Sequence, residues 1–402
     1  MSDQFTEVTK TGYGGRIINS IKGVALGFLL FIASFFVLYV NEGRMDFSKL
    51  ARTAQEVSAD SVSTDPALKG KLISTNGNLS SEETLDDTFL TAGNYFAVRR
   101  SVEMFSWVEH KETRTHKELG GSETRETTYT YTKEWTAHAP DSHYEKLSGD
   151  LGFKSTDYSR FQHPEGHVNP PLAVPATILK VHAAKIGAYN IDMASTGGTE
   201  SSWVNLDEGV GLPAFSSLPL DTTKVILAQG AQLANENYLF LGKGSFAAPL
   251  VGDLRISYGI VPLGIRATIF GTPEGALITP YFDGHNNKLF RIFSGSRGEA
   301  IATMHSEYSQ SIWLLRGIGL ALMWLGLWLI LAPFGVLLDV VPALGFLGRG
   351  AIFLVTLPLA LALSLITIVV SSIIHSLVAL LIAMGVSIVG IIFLIKRARA
   401  KK

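Results

Sequence analysis

The chain has 402 residues, of which 47% are hydrophobic and 17% charged, and its formal net charge is -1. An ordinary soluble domain carries about 25% charged residues, and a chain with no basic excess offers no electrostatic footprint for a nucleic-acid partner. The absence of cysteine excludes disulfides, thiol nucleophiles and thiolate metal sites.

Charge is scarce at the two ends of the chain and ordinary in between. Residues 1–22 read as a cytoplasmic N-terminus. Residues 23–40 form an uncharged run of 18; at about 1.5 Å per residue, such a helix nearly crosses a ~30 Å hydrocarbon core. No small-residue cleavage site follows it, so the run predicts a retained first span and not a signal peptide.

Residues 41–311 have normal polarity and predict a large exported α+β domain rich in antiparallel β, built as one domain or two. Asn41-Glu42-Gly43-Arg44 forms its entry. Ser80 and Glu83 have capping-box spacing for a short helix, and Asn78-Leu79-Ser80 is a glycosylation sequon only in a secretory setting. Residues 101–116 alternate, with Val102, Met104 and Val108 on one side and Glu103, Phe105, Trp107 and Glu109 on the other. Residues 119–122 (LGGS) predict the turn, and 126–135 return with Tyr129, Tyr131, Lys133 and Trp135 on one face. Period-two alternation of aromatic and β-branched residues around Gly-Gly marks a hairpin. The aromatic face reads either as a packed sheet face or as a binding face.

Residues 161–170 (FQHPEGHVNP) place His163, Glu165 and His167 close together. A helical zinc motif needs two histidines one turn apart with the glutamate beside the metal-bound water. Pro164 and Gly166 break such a helix and the order H-P-E-G-H does not match, so the stretch reads as an ordered loop. In it, the residue before Pro170 is driven from the α region. No cofactor, metal site or catalytic residue is expected. There is no G-x-S-x-G, no G-x-x-x-x-G-K-[ST], and Asp141-Ser142-His143 cannot form a triad by itself. Residues 176–188 have near-helical apolar spacing, and 224–228, 238–241, 254–261, 267–270 and 277–281 predict strands.

Residues 312–332 predict a second span, with Arg316 near one end snorkelling to the interface. Residues 333–350 predict an apolar cytoplasmic hairpin in the interface. Residues 351–370 predict a third span in which Pro358 is tolerable, 371–376 a tight connection, and 377–395 a fourth span. Lys396, Arg397, Arg399, Lys401 and Lys402 form a basic tail at 396–402 and place the C-terminus in the cytoplasm. Four spans put the N-terminus there too, with 41–311 on the other side of the bilayer. One intramembrane charge is too few for an ion pathway.

These pieces together resemble the transmembrane protein 43 (LUMA) family over nearly the whole chain. The likeness rests on Asn41–Arg44 (NEGR), on VEMFSWVE with Glu103 and Trp107, and on Tyr129, Tyr131 and Trp135 of the return strand. It continues with Phe161, Gly166, His167, Asn169 and Pro170, with VGDLRISY containing Gly252 and Asp253, and with three closing spans and the basic tail. The resemblance implies a four-span membrane protein with a large lumenal or periplasmic domain and no established catalysis. Eukaryotic members occupy the inner nuclear membrane and endoplasmic reticulum, self-associate, and are linked to emerin and lamins. The short termini and missing cysteines suggest a prokaryotic relative, in which the compartments would be inner membrane and periplasm.

The expected function is a non-enzymatic membrane scaffold that self-associates and binds other membrane proteins in the lipid bilayer. The alternatives are a pore-forming or channel-modulating protein and, less favoured, a zinc-dependent hydrolase.

Overall fold

The computed structural model describes residues 3–117, 122–137, 146–148, 153–155, 161–162, 166–196, 209–338 and 349–376. The chain divides into two compact units, a sheet unit of residues 1–7, 46–113 and 127–306, and a helical unit of residues 8–45, 114–126 and 307–402.

In the sheet unit, period-two alternation gives the strands Tyr95–Lys117 and Glu123–Thr136, whose far ends belong to the helical unit. Val102, Met104 and Ser106 point into the protein while Phe105 and Trp107 take the half-buried face. Five strands continue this sheet: Leu254–Pro262, Leu239–Leu241 and Gln232–Leu233 in order, with Thr177–Lys180 on the long strand and Ser216–Ser217 on Leu254–Pro262. A second sheet is centred on Ile73–Ser80, Arg266–Glu274 and Lys288–Ser294, paired antiparallel. Two apolar clusters fill the unit. One contains Ile73, Phe96, Tyr189, Ile269 and Phe290; the other contains Phe89, Val102, Met104, Leu239 and Ile256.

The helices are α1 (Tyr13–Glu42), α2 (Phe47–Arg52), α3 (Arg297–Leu338) and α4 (Arg349–His375). Short helix α2 is capped at its start by Asp46, whose carboxylate accepts from Ser48 N at 3.0 Å. Its last carbonyls are met by Arg297, which donates from Nη2 to Ala51 O, Arg52 O and Ala54 O at 3.1–3.3 Å. A cation is favourable at that end because unpaired carbonyls leave it partly negative.

The helical unit holds α1, most of α3, and α4. Among the described residues, three helices are long and apolar enough to cross a membrane. They contain the expected spans at 23–40, 312–332 and 351–370; the fourth, 377–395, lies outside the described residues. Helices α1 and α3 approach closely through small residues, since a Cβ on Gly27 would lie 2.9 Å from Gly326 O. Backbones can come that near only where side chains are absent. Trp324 donates to Phe353 O at 2.9 Å and joins α3 to α4.

Several expectations change. Residues 4–11 are a strand, Gln4–Thr11, on the free edge of Glu123–Thr136. Tyr131 N donates to Asp3 O at 2.8 Å. Residues 176–188 form no helix, because Thr177–Lys180 pairs antiparallel with residues 97–100 and Gly187 sits at φ +57°. Sheet pairing overrides the periodicity. Ser80 ends a strand instead of capping a helix, and Glu83 accepts from the backbone of His182 and Ala183. Residues 224–228 contribute a single bridge, Leu90 to Val225.

Helix α3 runs through Pro333 to Leu338, into the segment expected as a hairpin, and 339–348 lie outside the described residues. The expected connection 371–376 is helical through His375 because its serines find partners on α1, Ser371 to Tyr39 O and Ser372 to Glu42. The turn at 119–122 is described only at Ser122.

Candidate functional site

The half-buried face of the hairpin carries a set of linked polar and aromatic contacts. His167 is 1% exposed. Its ring stacks on Tyr131 with centroids 4.1 Å apart and meets Trp107 edge-on at 4.7 Å. Phe5 approaches the same ring at 6.2 Å, and Asp3 Oδ1 lies 3.4 Å from Nε2. Gly166, at φ +82°, makes the turn that delivers this ring. Phe161 closes the far side of Tyr131 at 5.5 Å. Tyr129 is buried on the same strand face, with the Lys111 ammonium 5.4 Å from its ring centroid.

Hydrogen bonds fix this packing. Asn169 Oδ1 accepts from Trp107 N at 2.7 Å and Nδ2 donates to Trp107 O at 3.0 Å, so one amide side chain stands in for a neighbouring strand. Tyr131 Oη donates to Glu109 at 2.5 Å, and the same carboxylate oxygen accepts from Gln162 N at 2.7 Å. Buried backbone and hydroxyl groups that lacked such partners would be costly.

The loop carrying Gly252 and Asp253 completes the set. Phe105 N donates to Asp253 O and Gly252 N donates to Phe105 O, at 2.8 and 2.9 Å. The buried Asp253 carboxylate accepts from Lys243 N, Gly244 N and Leu250 N at 2.7–3.1 Å and so holds the loop 243–250 closed. Gly252 adopts φ +96°, and a Cβ there would fall 2.7 Å from the ring of Pro170. Both facts require glycine at this position.

Glu103 and Trp135 meet through Arg255. Its Nε donates to Glu103 at 2.5 Å, and its guanidinium lies 5.0 Å over Trp135 and 4.8 Å over Tyr238. Trp135 also packs on Phe105 at 5.3 Å. Cation–π contacts of this kind add about 0.5–1 kcal/mol at exposed sites. Elsewhere in the unit a buried trio links Arg100, Asp87 and Tyr258. Arg100 donates to both Asp87 oxygens at 2.6 and 2.7 Å, and the Tyr258 hydroxyl donates to Asp87. Burial, reinforced by that carboxylate, pushes the Tyr258 phenol well above its ordinary range.

The Asn41–Arg44 motif lies at the end of α1. Asn41 Nδ2 donates to Ile312 O at 3.2 Å and Arg44 to Ser311 Oγ at 2.7 Å. Glu42 takes two bonds from Arg316 at 2.8 Å and one from Ser372 at 2.8 Å. A side chain at Gly43 would strike the imidazole of His375, which packs on Tyr39 at 4.5 Å.

Sequence reasoning singles out one partner in most of these contacts and misses the other: Asp3, Phe5, Arg255 and Ser372. It names Glu109 and Arg316 but gives neither a partner. Only Glu109, in phase with Glu103 and Trp107, carries a periodic signal. His163 and Glu165 lie outside the described residues. Among the described residues no group of three or more His, Asp or Glu side chains is gathered to hold a metal.

A chain with apolar helices of spanning length and an antiparallel β-rich unit is a membrane protein of mixed architecture. The chain belongs to the transmembrane protein 43 family, whose model, described as "Transmembrane protein 43", matches residues 104–150 and 154–377. It is 26% identical to human transmembrane protein 43 over 427 aligned residues, covering 98% of this chain and 94% of the relative. To the mouse protein it is 25% identical over 346 residues, covering 80% and 76%. No solved structure matches the chain.

Proposed function

We propose that the protein is a non-enzymatic membrane scaffold that self-associates and holds other membrane proteins, as the family resemblance implies for its relatives. The observation that carries the reading is how the motif residues are used. Trp107, Tyr131, His167 and Asn169 bond and pack against one another, while Gly252 and Asp253 are bonded to Phe105 and to the loop 243–250. A catalytic constellation must leave reacting groups pointed at space for a substrate. These groups are consumed in holding the hairpin to its neighbouring loops.

In this reading α1, α3, α4 and residues 377–395 form the membrane part, the sheet unit stands outside the hydrocarbon core, and the basic tail 396–402 faces the cytoplasm. The motif residues are structural, and partners bind the surface that they keep in shape. Self-association is tested by expressing two differently tagged copies in one membrane and isolating one. Recovery of the other copy supports the reading; its absence after gentle solubilisation removes self-association.

A pore is the second reading. Against it, Glu42 and Arg316, a charged pair of the helical unit, are satisfied by each other, whereas a selectivity ring needs charge presented to a channel. Conductance in reconstituted liposomes above the lipid background would reverse this preference.

A further inference from the structure

A cleft of about 270 Å³ opens within the helical unit where the apolar run of α1 begins. Its polar wall is Arg16, Asn19, Ser20, Glu123 and Arg125, and its apolar floor is Gly23, Trp328, Leu329 and Ala332. At ~30 Å³ per water, the space exceeds what one or two ordered waters fill.

Three features give the cleft a charge and a direction. Glu123 is shared by two guanidinium groups, Arg16 Nε at 3.4 Å and Arg125 Nη2 at 3.5 Å, so the charged groups lining the cleft total +1. Arg16 and Glu123 are buried, while the Arg125 side chain is 58% exposed and stands at the mouth. The indole Nε1 of Trp328 is shielded from solvent and has no acceptor among the described residues.

Solvent does not reach that donor, so Trp328 contributes its ring to the apolar floor, about one turn inside the end of the run 312–332 and near the depth where tryptophans meet lipid headgroups. A cleft that is basic at its mouth and apolar at its floor matches an amphiphile whose anionic group sits at its polar end. Ile18 and Ile21 on α1 are exposed apolar residues beside the polar wall, and Leu26 and Leu29 continue that character along the span.

We propose that this cleft binds the phosphate of an anionic glycerophospholipid. The phosphate oxygens accept from Arg125, and the acyl chains run along the apolar surface of α1. Arginine suits the role because its planar fork meets two phosphate oxygens at once, and basic pockets between membrane helices recognise lipid headgroups in this way. Arg16 and Glu123 hold the wall and do not touch the ligand.

The test uses the full chain, purified in mild detergent and delipidated. Binding of phosphatidylglycerol, phosphatidylcholine and inorganic phosphate is measured by native mass spectrometry and by thermal shift. The expected result is tight binding of phosphatidylglycerol, not displaced by excess inorganic phosphate. Arg125→Gln should weaken it by about ten-fold, the effect of losing one charge-assisted hydrogen bond. Arg125 is exposed enough for its variant to fold, and an unchanged elution profile verifies this. Equal binding of phosphatidylcholine, or phosphatidylglycerol affinity unchanged in Arg125→Gln, overturns the proposal. Displacement of the lipid by inorganic phosphate overturns the lipid assignment and leaves a soluble-anion site.

Discussion

Arg316 on α3 donates from Nε and Nη2 to the two oxygens of Glu42 at the end of α1, each at 2.8 Å, while Ser372 of α4 donates to the same carboxylate. One carboxylate therefore ties three helices at one level. In sequence Arg316 reads as a lone charge snorkelling to the interface; in the fold its fork is matched bidentately, which fixes orientation as well as charge.

Breaking this pair from one side should be severe. Glu42 is 5% exposed at its side chain, and Arg316→Ala leaves it without its counter-charge at an expected cost of about 3–5 kcal/mol. Replacing both residues with leucine should recover most of that loss, because the stranded carboxylate disappears too. Thermal unfolding of the purified variants in one detergent reads both effects. A mild Arg316→Ala phenotype would show that water, not Arg316, satisfies Glu42.

Asn169→Ala removes the amide that bonds both backbone groups of Trp107. Each unpaired buried group costs about 1–3 kcal/mol, so the loop 166–170 should detach from the hairpin. Tyr131→Phe deletes one bond to Glu109 and leaves the stack on His167 intact; the expected loss is about 1 kcal/mol. Chemical denaturation should rank Asn169→Ala well below Tyr131→Phe, and the reverse order would contradict the clamp.

The N-terminal strand can be trapped directly because the chain has no cysteine. Thr6 Oγ1 and Thr128 Oγ1 lie 3.4 Å apart across the two strands. A chain carrying both Thr6→Cys and Thr128→Cys should cross-link in native membranes on mild oxidation. If the thiol introduced by Thr6→Cys stays reduced and reacts only with reagents on the cytoplasmic side, the strand does not pair in the membrane. An N-terminus opposite the sheet unit then stands.

Acid should loosen specific turns. The Thr223 hydroxyl and the Lys224 ammonium hold the Asp221 carboxyl down to about 2 from an ordinary 3.8. Backbone donation from His182, helped by the His182 ring and Ala183, holds Glu83 below its usual range. A carboxylate depressed in the folded state adds stability above its unfolded value, and that stability is lost as pH falls through the folded one. Thermal stability should therefore decline from about pH 4 downward, with the Asp221 part fading toward about pH 2. Asp221→Asn should flatten the decline; an unchanged slope would remove Asp221 from it.

Much of this architecture is written locally. Apolar runs announce the three described helices of spanning length, and the alternation around Trp107 and Tyr131 announces the hairpin, because both signals depend only on neighbours in sequence. What escapes is pairing between distant segments. Residues 177–180 have helical spacing yet are drawn into the long strand by residues 97–100. Asp3-Gln4-Phe5-Thr6 carries an aromatic and a β-branched residue, but the apolar run close behind it points to a membrane flank. At the site, residue types are legible and partners are not. Nothing near Asn169 indicates that its amide would meet Trp107, and nothing near Gly252 indicates that Pro170 would fill the space above it.

Sedimentation velocity of the purified protein in mild detergent tests the self-associating scaffold most directly. A self-associating scaffold sediments as one defined oligomeric species across a wide range of protein concentrations, after correction for bound detergent. A strictly monomeric profile at every concentration would contradict it.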